Sequence, residues 1–268
     1  MLPRPDHDPA LTDLLEKVYH ARGWDFRNYK RTSLMRRVSK RLNALSVGSM
    51  GEYSRFLEAD PSEYNRLFSS VTIKVSEFFR EPEVFHFLCK LLKSDYRDTA
   101  VKAWCCGCAF GEEAYSLAIT LTECLGAEAI KNTKVFATDI DPEAVEQARR
   151  ARYREESLWN ADASVRGSHF FPVNGGVYKV KYGIRNLVKF GALDIVRNPP
   201  IAKVQILFCR NLFIYFNKTL QEDVFEKLDY SLRPGGLLVL GKAEVVPQRF
   251  SSRYPRIDKR ISVYRKAE

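Results

Sequence analysis

Apolar residues in the first third of the chain recur at three- and four-residue spacing, which predicts helices over residues 11–19, 34–44, 50–58, 62–69 and 82–92. Glycine and proline positions separate them. From residue 101 the pattern changes to short apolar runs at 101–106, 134–138, 187–190, 204–209 and 237–241, alternating with amphipathic helical stretches. That alternation predicts a parallel sheet covered by helices. Between 159 and 181 the helical stripe lapses. There His169-Phe170-Phe171-Pro172 and Gly175-Gly176-Val177-Tyr178-Lys179-Val180 read as short strands joined by a glycine turn, a small antiparallel insert. Residues 260–265 read as a last strand, antiparallel beside 237–241. The expected class is α/β, with an all-helical domain over 1–95 and a sheet domain over 96–268 that carries the insert at 159–181.

Composition narrows the class of molecule. The chain has 268 residues, 45% hydrophobic and 28% charged, which is the balance of an ordinary globular protein and excludes disorder or a collagen-like repeat. No apolar run approaches the roughly 18 residues that a bilayer span requires. The first thirty residues interleave His7, Asp8, Asp13 and Glu16 with the apolar positions, so neither membrane insertion nor a secretory signal is expected. Six cysteines stand at 89, 105, 106, 108, 124 and 209, mostly within apolar stretches, and are expected to be buried thiols, as in a cytoplasmic protein. Cys105, Cys106 and Cys108 lack the second cysteine pair or histidine cluster that would complete a metal set, so no metal is expected.

Lysine and arginine number 43 against 33 acidic residues, a formal charge of +10, which favours an anionic partner. The excess is concentrated at Arg27, Lys30, Arg31, Arg36, Arg37, Lys40 and Arg41. Arg36, Arg37, Lys40 and Arg41 recur at helical spacing and are expected to present one basic face, either a solvated surface or a docking surface for an acidic protein helix. Nucleic acid is a second candidate partner on charge alone. It would call for aromatic rings among the basic residues, where only Trp24 and Tyr29 stand.

Chemistry concentrates at the predicted strand ends. Residues 103–117 read as a strand, a turn bearing Gly107 and Gly111, and a helix start, the arrangement that brings backbone close to an adenosine-type ligand. Glu112 and Glu113 at that helix start would repel a phosphate, and no Gly-Lys-Ser/Thr follows. A cationic, unphosphorylated adenosyl cofactor, such as S-adenosylmethionine, is compatible with them. In Ala137-Thr138-Asp139-Ile140-Asp141-Pro142, Asp141 is explained as a helix cap and Pro142 as its first turn. Asp139 has no such explanation and is the candidate acceptor for ribose hydroxyls. Arg210 and Tyr215, after the 204–209 strand, are candidates to hold a carboxylate or order the cofactor, with a core aromatic as the plainer reading of Tyr215. Arg80, in Val75-Ser76-Glu77-Phe78-Phe79-Arg80-Glu81-Pro82, reads on its own as one end of an interdomain salt bridge.

Taken together, these segments resemble the chemotaxis receptor methyltransferases of the CheR type, which methylate glutamate side chains on receptor cytoplasmic helices. The resemblance runs from the basic stretch at 29–41 through Ser76-Glu77-Phe78-Phe79-Arg80, Gly111-Glu112-Glu113-Ala114-Tyr115-Ser116, Ala137-Thr138-Asp139-Ile140-Asp141, Cys209-Arg210-Asn211, Ile214-Tyr215-Phe216 and Pro234-Gly235-Gly236. It implies a Rossmann-like class I methyltransferase domain, a helical amino-terminal domain, and an insert that docks on the receptor in some members. It further implies S-adenosyl-L-methionine as cofactor, S-adenosyl-L-homocysteine as product, and cofactor contacts at Lys74, Ser76, Arg80, Gly107, Glu113, Asp139, Asp194, Ile195, Cys209 and Arg210. Arg80, Arg210 and Tyr215 are placed at the reacting end. Lys74, Ser76 and Phe110 depart from the family pattern, as does Gly241-Lys242-Ala243-Glu244. A member that binds the cofactor as a sensor or scaffold, and a nucleic-acid methyltransferase, are the alternative functions.

Overall fold

The computed structural model describes residues 8–72 and 74–268. Residues 1–7 and 73, which the expected 1–95 domain includes, lie outside the described residues. The chain forms two compact units, one of the described residues up to 72 with Tyr215–Asp223, the other Lys74–Ile214 with Val224–Glu268.

The helical unit contains α1 (Pro9–Arg22), α2 (Arg31–Ala44), α3 (Met50–Ala59) and α4 (Glu63–Val71). Asp8 caps α1 by accepting the Ala10 and Leu11 N–H groups at 2.9 and 3.3 Å. One face of each helix is buried: Leu11, Leu14, Leu15 and Val18; Leu34, Val38 and Leu42; Tyr53 and Leu57; Leu67, Phe68 and Val71. Tyr215–Asp223 joins this unit through the Lys30 N–H, which donates to the Tyr215 carbonyl at 2.8 Å, and through edge-to-face packing of Tyr29 on Phe216.

Arg36, Arg37, Lys40 and Arg41 of α2 do not share one role, which corrects the expectation of a single basic face. Glu63 is fully buried and needs a counter-charge, and Arg41 provides it through two bonds of 2.8 and 2.7 Å, with the Tyr53 hydroxyl donating a third at 2.8 Å. Arg37, one turn earlier, donates to the Ser70 carbonyl at 3.0 Å and lies over the Tyr215 ring. Only Arg36 and Lys40 of the four are exposed.

The second unit is built on a six-stranded sheet in the order β6-β2-β1-β7-β8-β9, with β1 (Lys102–Cys106), β2 (Lys134–Asp139), β6 (Val188–Ala192), β7 (Val204–Cys209), β8 (Leu232–Leu240) and β9 (Val263–Arg265). All pairings are parallel except β8 with β9, where Leu237, Leu238 and Val239 face Arg265, Tyr264 and Val263. The central strands β1, β2 and β7 bury Ala103, Trp104, Val135, Ala137, Ile206, Leu207 and Phe208, as expected of parallel strands covered on both faces. Helices α6 (Glu112–Cys124), α7 (Ala127–Asn132), α8 (Pro142–Arg150) and α10 (Tyr182–Leu187) lie between strands along the chain. The helix expected at 82–92, here α5 (Pro82–Leu91), packs in this unit. Its Val84, Phe85 and Leu88 join the sheet core with Phe78, and the contacts therefore divide the chain after residue 72, ahead of the expected boundary at 95.

Cys89 of α5 and Cys124 of α6 form a disulfide, which corrects the reading of six thiols. Packing of the two helices brings their Cα atoms to 5.8 Å, within bridging range. The other four cysteines are free and buried.

The antiparallel insert is present as a three-stranded sheet in the order β3-β5-β4, and β4 (Phe170–Val173) and β5 (Val177–Val180) are the pair read from the sequence. Its third strand, β3 (Arg152–Arg154), lies upstream of the expected interval, and α9 (Ala163–His169), capped by Asp162, occupies part of a stretch where no helix was predicted. No helix of the described residues is long and apolar enough to cross a membrane.

Replacing Arg41 with Ala is expected to cost about 3 kcal/mol of unfolding free energy, because it leaves the sealed Glu63 charge with the neutral Tyr53 hydroxyl and a longer contact to Arg66. Arg36→Ala should change stability by less than about 0.5 kcal/mol. Urea denaturation of the two variants checks this contrast.

Candidate functional site

The sheet's strand order reverses between β1 and β7, since β2 and β6 extend from one side of β1 and β8 and β9 from the far side of β7. A crevice opens at the carboxyl ends of strands at such a point. After Cys106 the chain turns through Gly107 at φ +76° and Gly111 at φ +92° before α6 begins. The Gly107 and Cys108 N–H groups both donate to the Thr138 carbonyl, at 2.8 and 2.9 Å, which pins the turn to the end of β2. A Cβ at Gly111 would stand 2.8 Å from the Ala148 methyl and 3.0 Å from the Phe190 ring, so both space and backbone angle demand glycine there.

Asp139 and Asp141 divide the work at the end of β2. Asp141 caps α8 by accepting from Glu143 and Ala144, and its other oxygen pairs with Lys74. Asp139 also has a structural role, contrary to the expectation: its oxygens accept the Ala109 N–H at 2.8 Å and the Asp141 N–H at 3.0 Å. Burial pushes its carboxyl above the usual range, and these two backbone bonds oppose that rise. Its carbonyl accepts the Leu193 N–H, which places the Asp194-Ile195 turn alongside it. Asp194 accepts from the Val196 N–H, and Lys227 donates to the carbonyls of Ile195, Val196 and Asn198 at 2.7–3.0 Å, fixing that turn.

Cys209, free and fully buried, ends β7. Next to it the Arg210 side chain is sealed from solvent between two carboxylates, Glu113 at 2.9 Å and Glu81 at 3.0 Å. Glu113 comes from the glycine-turn helix and Glu81 from the start of α5, so one guanidinium joins three segments. Burial pushes the Glu113 carboxyl upward, and the Arg210 charge opposes that rise. The loop behind Arg210 is held by Glu244, also buried, which accepts the N–H groups of Asn211, Gly241 and Ile214 at 2.8, 2.8 and 3.3 Å. Gly241 must be small, because a Cβ there would fall 2.8 Å from both the Glu244 carboxylate and the Asn211 amide.

Arg80 lies in a short turn whose neighbours Phe79 and Glu81 hold left-handed backbone at φ 51° and 58°, a strain of order 1 kcal/mol each. Anchors on either side pay for it: the Phe78 N–H donates to the Ser157 carbonyl at 3.0 Å, the Phe78 ring packs edge-on against Tyr153 and Phe170, and the Phe79 N–H donates to the Ser116 hydroxyl at 2.8 Å. Among the described residues Arg80 makes no ion pair, contrary to the expectation, and its neighbour Glu81 pairs with Arg210 inside the same unit. Arg80 lines a cavity of about 320 Å³ with Val75, Ser76, Glu77, Glu156 and Ser157, and its charge reaches Glu113. Burial pushes the Glu112 carboxyl up to about 7, and the nearby Ser76 side chain opposes that rise.

The structure thus gathers Lys74, Ser76, Arg80, Gly107, Glu113, Asp139, Asp194, Ile195, Cys209 and Arg210 within the sheet unit, whereas Tyr215 belongs to the helical unit, as do Arg36, Arg37, Lys40 and Arg41. Lys74 is engaged by Asp141, Lys242 is exposed, and the Phe110 carbonyl accepts the Tyr153 hydroxyl at 2.7 Å. Glu81 and Glu244 were missed as site residues. Glu244 had a signal, the acid retained in an otherwise altered Gly-x-x-Glu. Sequence spacing offers no comparable signal for Glu81. An adenosyl sulfonium cofactor fits what is present, because acids outnumber cations along the crevice. Arg210 Nε and Glu112 Oε2 are in addition a buried donor and a buried acceptor without hydrogen-bond partners among the described residues.

Residues 74–261 match the family described as CheR methyltransferase, SAM binding domain, and residues 9–72 match CheR methyltransferase, all-alpha domain. The chain is 33% identical over 245 residues to the chemotaxis protein methyltransferase of Salmonella typhimurium, covering 88% of this chain and 84% of that protein. It is 32% identical over 244 residues to its Escherichia coli counterpart, with the same coverage of 88% and 84%. It is 32% identical over 235 residues to chemotaxis protein methyltransferase 2 of Pseudomonas aeruginosa, covering 85% and 84%.

The raised Glu112 carboxyl makes stability depend on pH. Its folded value of about 7 lies above the ordinary 4.5, so the native state holds the proton more tightly and this contribution, complete below about pH 4.5, is lost as pH rises through about 7. Glu112→Gln is therefore expected to stabilise the protein by about 3 kcal/mol more at about pH 8 than at about pH 4. Denaturant melts at the two pH values measure the difference, and an equal effect at both contradicts it.

Proposed function

Because the chain belongs to the CheR methyltransferase family of S-adenosylmethionine-dependent enzymes of chemotaxis adaptation, we propose that it methylates glutamate carboxylates on the acidic cytoplasmic helices of chemoreceptors. The product is a glutamate methyl ester, with S-adenosylhomocysteine left behind, and the reaction runs in the cytoplasm. The observation that carries this reading is the buried Arg210, held by Glu81 and Glu113 beside the glycine turn at the switch point of the sheet.

Bound S-adenosylmethionine supplies an electrophilic methyl group on a positively charged sulfur. A receptor glutamate is ionised at neutral pH, so the protein needs no general base, and its task is to align the reactants and exclude water. Ser76, Gly107, Glu113, Asp139, Asp194, Ile195 and Cys209 form the cofactor cradle in this reading, and Lys74 supports it indirectly by neutralising Asp141. Two carboxylates balance the charge of Arg210, which keeps it from gripping the attacking oxygen and blunting its nucleophilicity. Arg210 thereby fixes the turn that carries Arg80, and Arg80, with no hydrogen bond or ion pair to another described side chain, is the cation that orders the reacting end. Tyr215 contributes its hydroxyl to orienting the receptor carboxylate. Arg36 and Lys40 are the two exposed cations of α2 that draw in an acidic helix, an attraction that salt screens.

Two of the departures from the family pattern bring no extra positive charge to the cradle, since Lys74 is paired and Lys242 is exposed. This favours an active enzyme over a cofactor sensor.

Transfer of radiolabelled methyl groups to receptor, released by base, tests the proposal. Arg80→Ala is expected to lower kcat/KM by about 10²-fold or more. Tyr215→Phe should lower turnover while leaving S-adenosylhomocysteine affinity intact. Full transfer by both variants would overturn these assignments.

A further inference from the structure

A second concave site lies at the amino end of β6, away from the Asp194-Ile195 turn that follows its carboxyl end. It is an open groove of about 320 Å³ between the last turn of α8, helix α10 and the start of β6. Arg149, Arg185 and Lys189 line it, and no carboxylate does. Arg149 is partly committed, donating to the Phe190 carbonyl at 2.8 Å and pairing with Glu146 at 3.4 Å on the outer face of α8. Neither Arg185 nor Lys189 has a side-chain hydrogen bond or ion pair among the described residues, so two of the three cations remain available. The groove also carries two aromatic surfaces of different kinds. Phe190 and the buried Tyr115 pack edge-on against each other at 5.3 Å, whereas Tyr182 is 75% exposed. That exposure leaves the Tyr182 ring free to meet a ligand beside the unpaired cations.

We propose that this groove binds a nucleoside phosphate, with Arg185, Lys189 and Arg149 on the phosphate and Tyr182 stacked on the base. Planar guanidinium groups suit phosphate oxygens in pairs, and an exposed aromatic ring suits any base. The volume lies at the small end of ligand clefts and matches a single nucleotide. An acidic protein segment would use the same cations, but it needs neither a concave space nor a free ring. The site is independent of the methyl-transfer residues, because none of its lining residues belongs to the cofactor cradle.

Calorimetric titration of the full chain with guanosine monophosphate, in the presence of saturating S-adenosylhomocysteine to fill the adenosyl site, tests the proposal. One binding event is expected. It should weaken by about tenfold or more in the Arg185→Ala/Lys189→Ala variant and by about fivefold in Tyr182→Ala, with S-adenosylhomocysteine affinity unchanged in both variants as the check on folding. No binding at millimolar nucleotide, or equal affinity in the variants, would overturn it. So would inorganic pyrophosphate binding as tightly as the nucleotide, which would mark a bare anion patch. An oligoglutamate peptide that binds where the nucleotide does not would equally overturn it and mark an acidic-protein surface.

Discussion

A guanidinium sealed from solvent cannot be left unpaired, because the cost of burying a lone charge amounts to several kcal/mol. Arg210 meets that condition by drawing Glu113 and Glu81 onto itself, and the rest of the site follows from this pairing. Glu113 stands at the start of α6, so the pair fixes the direction in which the glycine turn leaves β1. Glu81 stands at the start of α5, so the same cation holds the strained turn in which Arg80 sits. Glu244 completes the arrangement from behind by taking three backbone N–H groups of the loop that carries Arg210.

A parallel set of backbone bonds organises the cofactor side. Asp139 ties the glycine turn to β2 with one oxygen and the start of the next turn with the other, and Thr138 accepts two further N–H groups from the turn. These bonds hold the turn in shape before any ligand arrives, and such preorganisation lowers the ordering cost of binding. Lys74 belongs to this framework as well. A cation near a sulfonium is unfavourable by itself, but its charge is spent on Asp141, so the departure from the family pattern leaves the crevice acidic.

Local patterns in the sequence identified what depends on neighbours along the chain. The strand at 204–209 and the cap at Asp141 follow from apolar runs and from short-range side-chain bonding, and the structure has both. What the sequence concealed depends on partners far away along the chain. The acid that bonds the guanidinium is Glu81, not a partner of Arg80, because the turn rotates one side chain toward Arg210 and leaves its neighbour lining a cavity. Arg37 and Arg41 read as surface charge until Glu63 and Ser70, 22 and 33 residues away, are brought against them. An apolar setting is common to thiols and to half-cystines, so Cys89 and Cys124 gave no sign of their bond. The same holds for α5: its periodicity announced a helix, but not which core its apolar face would join.

The central claim is that Arg210 acts through its carboxylate partners, and the most direct test is the coupling between Glu81→Gln and Arg210→Met in S-adenosylhomocysteine affinity. Glu81 stands outside the cofactor cradle, and its carboxylate is bonded to the guanidinium. The account predicts that Glu81→Gln alone weakens binding by about tenfold, and that the double variant binds no more weakly than Arg210→Met, a coupling of about 1.4 kcal/mol. Independent effects that simply multiply in the double variant would contradict it.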